Sequence, residues 1–164
     1  MSELDRLRER IASGNAIVGI YGLGYVGLPL ALRFSEVGLK VIGFDIDETK
    51  IDAINAGKSY IERLTAQRIH KSRDQGLEAT SDFSRSQEVD ALIICVPTPL
   101  DAHREPDLSY VVATIDSIVP HLRKGQIVSL ESTTYPGTTD EILLPMFSQT
   151  GLQLGEDFLL VFSP

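Results

Sequence analysis

One stretch restricts the fold of this chain more than any other: Ile17-Val-Gly-Ile-Tyr-Gly-Leu-Gly-Tyr-Val-Gly-Leu-Pro-Leu30. A β-branched run (Ile17, Val18, Ile20) meets Gly22-x-Gly24-x-x-Gly27, and an apolar pattern of helical period follows. This order predicts a strand, a tight turn and a helix N-terminus. Gly22 permits the sharp turn, Gly24 leaves room for a phosphate group against the main chain, and Gly27 lets helix and strand pack closely. The helix start adds unpaired N–H groups and a partial positive charge. Such a glycine pattern alone is a common turn. Here a second strand, Lys40-Val-Ile-Gly-Phe-Asp45, ends in an acid at about the ~20-residue distance expected of a dinucleotide site.

The rest of the chain repeats the alternation. A short helix is expected over residues 2–14, with Leu4, Leu7 and Ile11 on one face, Ser2 and Asp5 as a capping box, and Gly14 as its stop. Helices are expected from about Tyr25 to Val37 and from Glu48 to Asn55, the second stopped by Gly57. Residues 58–76 are charged and helix-prone; a short strand, Leu77–Thr80, and a helical turn capped by Ser81 or Asp82 come next. The strand Asp90–Val96 is continuously apolar after its first residue, as a strand buried on both faces should be. A helix Tyr110–Leu122 is expected to bury Val112, Ile115, Ile118 and Val119; a strand Gln126–Leu130, a helix near Asp140–Phe147 and a strand Phe158–Phe162 complete the series. Strands alternating with helices predict an α/β fold: a Rossmann-type, doubly wound parallel sheet in three layers, strand order 3-2-1-4-5-6, forming a single domain over residues 15–164 behind the helix of residues 1–14. The chain stops directly after an apolar strand, so it is expected to be part of a longer protein.

Bulk properties narrow the partners. A formal net charge of −8 argues against binding a nucleic-acid backbone, which needs a concentrated basic face. A dinucleotide stays compatible, because backbone N–H groups can hold it. With 43% hydrophobic residues and no apolar run near the ~20 residues needed to cross a bilayer, the chain reads as globular, with no membrane partner. The lone Cys95 forbids an internal disulfide, and the start Met1-Ser-Glu-Leu-Asp-Arg6 lacks a signal-peptide pattern, so the cytoplasm is the expected location.

In an open parallel sheet, ligands bind outside the carboxyl ends of the strands. Those ends are Gly22–Gly27 (a stretch that includes Tyr25 and Val26), Asp45, Val96–Pro99 and Glu131–Thr139. Asp45 is suited to accept hydrogen bonds from both adenosine ribose hydroxyls and to repel a 2′-phosphate, which favours NAD over NADP. Lys50 either helps neutralise the ligand or is merely solvated. Pro97-Thr98-Pro99 forms a rigid wall with one hydroxyl, suited to a nicotinamide ribose but equally ordinary as a turn. Glu131, Ser132, Thr133 and Thr134 place four polar side chains at one strand end; capping would employ one or two. His70, His103 and His121 have no metal-ligand spacing with the cysteine, so no metal is expected. Cys95, within an apolar strand, is expected to be an inert hydrophobe rather than a nucleophile.

Four segments together resemble the UDP-glucose/GDP-mannose dehydrogenases, and more closely the bacterial UDP-N-acetylhexosamine 6-dehydrogenases: Gly22-Leu-Gly-Tyr-Val-Gly-Leu-Pro-Leu-Ala31, Cys95-Val-Pro-Thr-Pro-Leu100, Arg104-Glu-Pro-Asp-Leu-Ser-Tyr110 and Glu131-Ser-Thr-Thr-Tyr-Pro-Gly-Thr-Thr139. The resemblance implies an NAD-dependent oxidation of a UDP-sugar 6-hydroxyl to a carboxylate, reducing two NAD+, in polysaccharide biosynthesis. It assigns Gly22, Gly24, Tyr25, Val26, Gly27, Asp45 and Lys50 to the adenosine and pyrophosphate. Val96, Pro97, Thr98, Glu131 and Ser132 go to the rest of the cofactor, and Thr133 to the substrate or a catalytic water. Glu131 stands where relatives differ. Family members continue into a long central helix and a sugar-nucleotide domain that holds a catalytic lysine, asparagine and cysteine, so this chain alone is expected to bind NAD and turn over nothing. A homo-oligomer is implied for the longer protein. The rival enzyme reading, a β-hydroxyacid dehydrogenase, should carry a different polar set after its later strands. A non-catalytic NAD-sensing module would need a regulatory region that residues 1–14 are too short to supply.

Overall fold

In a computed structural model, which describes residues 1–163, the chain forms one six-stranded parallel sheet with the order β3-β2-β1-β4-β5-β6. The strands are β1 (Ile17–Tyr21), β2 (Lys40–Phe44), β3 (Glu78–Thr80), β4 (Ala91–Ile94), β5 (Gln126–Leu130) and β6 (Phe158–Phe162). The helices are α1 (Glu3–Ala12), α2 (Gly27–Glu36), α3 (Glu48–Asn55), α4 (Ala66–Asp74), α5 (Ser109–Ile118) and α6 (Leu144–Ser148). The expected Rossmann-type order is therefore observed.

Period-two alternation divides the core between the two faces. Val18 and Ile20 of β1 bury against Leu28, Ala31 and Leu32 of α2, joined by Ile51 and Ile54 of α3 and Ile69 of α4. On the opposite face Tyr21, Phe44, Leu92, Ile94, Val128 and Leu130 bury against Val111, Ile115 and Ile118 of α5 and Phe147 of α6. Truncating one of these side chains to alanine removes both its transfer energy and its packing, at about 2–5 kcal/mol.

Local signals set the boundaries. Ser2 and Asp5 make the reciprocal capping box of α1, and Gly14 follows it at φ +72°. Asp47 caps α3 through Thr49 N–H, and Asp82, one of the two expected candidates, caps a 3₁₀ segment over Phe83–Glu88 through Ser84 N–H.

The structure corrects several expectations. Helix α2 begins at Gly27 rather than Tyr25, which leaves Tyr25 and Val26 in the turn. Helix α5 ends at Ile118, and Val119–His121 tighten into a 3₁₀ turn at Pro120, whose ring and missing N–H prevent an α continuation. Its buried stripe starts from Val111, not Val112. The helix expected near Asp140–Phe147 opens instead as a π-helical turn over Thr139–Leu143 and becomes α-helical at Leu144. Strand β4 is covered on both faces but unequally: Leu92 and Ile94 are fully buried in the core that includes α5, while Ala91 and Ile93 on the other face are half-buried, Ile93 packing against the core on the α2 side.

The far end of the sheet is closed by one carboxylate. Asp90 is 2% exposed and accepts hydrogen bonds from Ile17 N–H (2.8 Å), Arg10 Nε (3.0 Å) and Arg123 Nη2 (2.9 Å). It thereby ties α1 and the turn before β5 to the start of β1.

Candidate functional site

The chain reverses its winding between β1 and β4: β1 leads to β2 on one side, β4 to β5 on the other. At the carboxyl ends of those two strands lies a crevice of about 640 Å³. Its floor is the side-by-side stack of Tyr21 and Phe44, ring centroids 4.4 Å apart and planes 2° from parallel. Of the residues singled out from sequence, Gly22, Gly24, Tyr25, Val26, Asp45, Lys50, Val96 and Pro97 line it.

The three glycines of the turn answer to different constraints. Gly22 has φ +95°, and a Cβ there would sit 2.8 Å from Cys95 O. A Cβ at Gly27 would collide with Gly22 O, so the helix start is packed directly on the strand end. At Gly24 a Cβ would meet nothing within 4 Å. The fold does not demand glycine there; the space left open belongs to the crevice. Gly22 N–H is paired with Phe44 O (2.8 Å) and Leu23 N–H with Asp45 Oδ2 (2.8 Å). Among the described residues, the N–H groups of Gly24, Tyr25, Val26 and Gly27 have no protein acceptor. Consecutive unpaired amides at a helix N-terminus form an anion cradle.

Asp45 closes the next side. It is 7% exposed, and its carboxylate accepts from Leu23 N–H, from Asp47 N–H (2.9 Å, on Oδ1) and from Lys50 Nζ (3.5 Å). A carboxylate has about four acceptor positions, so one direction is left for a hydroxyl of a ligand. Asp47 lies beside it, and hydrogen bonds from Thr49 hold its carboxyl below the usual aspartate value. Two carboxylates at this rim oppose a phosphate placed directly beside Asp45. Opposite them, Phe83 and the α5 residues Tyr110, Thr114 and Ser117 complete a largely apolar wall with hydroxyls at its edge. Phe83, Thr114, Ser117 and Ile46, which is 78% exposed at the crevice, were not singled out from sequence, and Tyr110 was noted only as the end of the Arg104–Tyr110 segment, with no role given to it.

The remaining expected residues gather beside the crevice and do not line it. Thr98 Oγ1 donates to Thr133 O (2.7 Å), and Ser132 Oγ donates to Val96 O (2.7 Å), so two of the hydroxyls stitch the end of β4 to the end of β5. Glu131 Oε1 accepts from Ser129 Oγ at 2.6 Å. Thr133 is exposed, and Thr134 Oγ1 is buried without a hydrogen-bond partner. Cys95 lies one residue beyond β4, half-buried, and burial followed by the neighbouring Glu131 charge pushes its thiol up to about 12. It stays protonated at neutral pH, unlike a catalytic thiolate. Among the described residues no three His, Cys, Asp or Glu side chains gather as a metal site would require, and no helix is long and apolar enough to cross a membrane.

A cradle of free amides, an open position at Gly24 and a buried acid at the end of β2 together fit an adenine dinucleotide. Known proteins agree. The family model "UDP-glucose/GDP-mannose dehydrogenase family, NAD binding domain" matches residues 16–164. The UDP-N-acetyl-D-glucosamine 6-dehydrogenase of Pseudomonas aeruginosa is 38% identical over 148 residues, covering 90% of this chain and 34% of its own. An NDP-N-acetyl-D-galactosaminuronic acid dehydrogenase from Methanosarcina mazei superposes with a TM-score of 0.85 at 32% identity, covering 100% of this chain and 38% of that one. For a UDP-D-ManNAc dehydrogenase from Pyrococcus horikoshii the TM-score is 0.84 at 35% identity, over 90% and 36%. The chain thus spans about a third of the length of these relatives.

Proposed function

Because the chain belongs to the UDP-glucose/GDP-mannose dehydrogenase family as its NAD binding domain, we propose that it is the cofactor-holding part of a nucleotide-sugar 6-dehydrogenase acting on a UDP-N-acetylhexosamine. The observation that carries this is the row of unpaired amides from Gly24 to Gly27 beside the buried Asp45. When bound, NAD+ supplies the hydride acceptor for oxidation of the sugar's 6-hydroxyl. The chain's own residues bind and orient. The Gly24–Gly27 amides receive the pyrophosphate, and Asp45 accepts from an adenosine ribose hydroxyl. Lys50, 3.5 Å from Asp45, offsets part of the local negative charge. Val96 and Pro97 wall the nicotinamide end, and Thr98 and Ser132 fix the shape of that wall through their bonds to Thr133 O and Val96 O. The exposed Thr133 positions the substrate or a water. Holding both reactants at near-attack distance is where such a site gains its rate.

The UDP-N-acetylhexosamine assignment is supported by the names of the relatives, and the preference for NAD over NADP by the Asp45–Asp47 rim. A longer protein, homo-oligomeric and cytoplasmic, belongs to the same reading. Titration calorimetry on residues 1–164 tests it: NAD+ is expected to bind and NADP+ to bind at least tenfold more weakly. No NADH is expected from UDP-N-acetylglucosamine with this chain alone, since it spans about a third of the length of its relatives and its one thiol, Cys95, is held protonated. Equal affinity for the two dinucleotides, or turnover by the chain alone, would overturn the respective claim.

A further inference from the structure

Tyr60 makes a contact that the cofactor site described above does not explain. It lies on the loop after α3, which leaves the helix through Gly57 at φ +71°. The loop is held there by Ile61, 7% exposed in the core, and by Ser59, whose hydroxyl donates to Ile61 O (2.9 Å) and accepts from Ile61 N–H (3.2 Å). So anchored, the Tyr60 hydroxyl donates to Leu23 O at 2.5 Å. Leu23 stands within the glycine turn, its side chain fully buried and its N–H held by Asp45.

We propose that Tyr60 is a positioning residue for the pyrophosphate cradle, aiming the Gly24 N–H into the crevice by holding the carbonyl of the same peptide group. A peptide unit is planar and trans, so C=O of Leu23 and N–H of Gly24 point in opposite directions within one rigid plane. Fixing the carbonyl on Tyr60 fixes the amide toward the ligand. The neighbouring peptide, Gly22–Leu23, is fixed separately by the Leu23 N–H bond to Asp45. Without the Tyr60 bond the Leu23–Gly24 unit has little else to resist rotation, since Gly24 has no side chain and its N–H has no protein acceptor. Burial and the charges of Asp45 and Asp47 hold the Tyr60 phenol above the ordinary tyrosine value, so it stays a donor throughout the neutral range.

The inference rests on the cofactor reading, and the two fail differently. Tyr60→Phe removes one oxygen and keeps the ring. By calorimetry, the variant is expected to bind NAD+ and ADP-ribose about five- to tenfold more weakly, while adenosine, which has no pyrophosphate, binds as in the parent chain. In ¹⁵N spectra without ligand, the Gly24 amide resonance is expected to shift while those of the β5 residues stay in place. Unchanged ADP-ribose affinity, or an equal loss for adenosine and ADP-ribose, overturns the positioning role. Failure of the parent chain to bind ADP-ribose at all overturns the cofactor reading and this inference with it.

Discussion

At the scale of single residues, the glycine turn separates what the fold needs from what the ligand needs. Gly24→Ala places its methyl in open space. It is expected to leave the melting temperature within about 1 °C of the parent, since such a surface change costs under ~0.5 kcal/mol. NAD+ affinity should nonetheless fall at least tenfold. Gly27→Ala drives a methyl into Gly22 O and is expected to lower the melting temperature by several degrees whether or not ligand is present, read by circular dichroism. Asp45→Ala should weaken NAD+ by about 10- to 100-fold, the range for a hydrogen bond to a charged group. It also strips the Leu23 and Asp47 amides of their acceptor, so some thermal stability goes with it. The glycines and Asp45 were legible in the sequence because their roles are backbone geometry and a fixed offset along a βαβ unit. Tyr60, Ile46, Phe83 and the α5 hydroxyls were not. They reach the crevice from other elements, and nothing in their local spacing distinguishes them from an ordinary loop or helix face.

At the scale of elements, most of the alternation could be read because buried strands and capped helices carry short-range signals: Asp47 before α3, Asp82 before its 3₁₀ segment, Gly14 and Gly57 after helices. Reading failed where tertiary packing chose the register. Val111 and Val112 both fit a helical stripe, and only the position of the sheet beneath α5 decides between them. The continuous apolar run of β4 suggested two covered faces, and both are covered, but to unequal depth: Leu92 and Ile94 are fully enclosed, while Ile93 packs only partly buried against the α2 side of the core. Nor did any pattern foretell that Asp90, at the start of that strand, joins three elements. Asp90→Ala is expected to cost roughly 3 kcal/mol, because it leaves Ile17 N–H unpaired and removes a buried ion-pair partner from Arg10 and Arg123. Urea unfolding should show a lower midpoint with an unchanged slope.

At the scale of the whole molecule, pH acts from both sides. Hydrogen bonds from Arg85 hold Glu78 and Glu88 below the ordinary glutamate value, and those from Arg68 do the same for Glu36. Depressed carboxylates add stability that is whole above the unfolded value near ~4.3 and is lost as pH falls through the folded value. These pairs are partly exposed, so the acid limb should be shallow. Tyr21 works in the opposite sense. Its phenol is buried, donates to Ser86 Oγ (2.8 Å), and burial raises its pKa. Its contribution is whole below the unfolded value near ~10 and is lost as pH rises beyond that. Thermal melts at pH 9 to 11 should therefore show a falling midpoint, and Tyr21→Phe should flatten that limb in part, Tyr60 retaining its own share. The central pairing of the sheet has a kinetic consequence. Gly19 of β1 is the register partner of Leu92 of β4, so the two halves meet only after a long closure whose entropic cost delays the encounter. Each half can collapse locally first, but the cleft is born at their seam. Coenzyme capture during refolding would thus time the docking of the halves rather than the formation of either one.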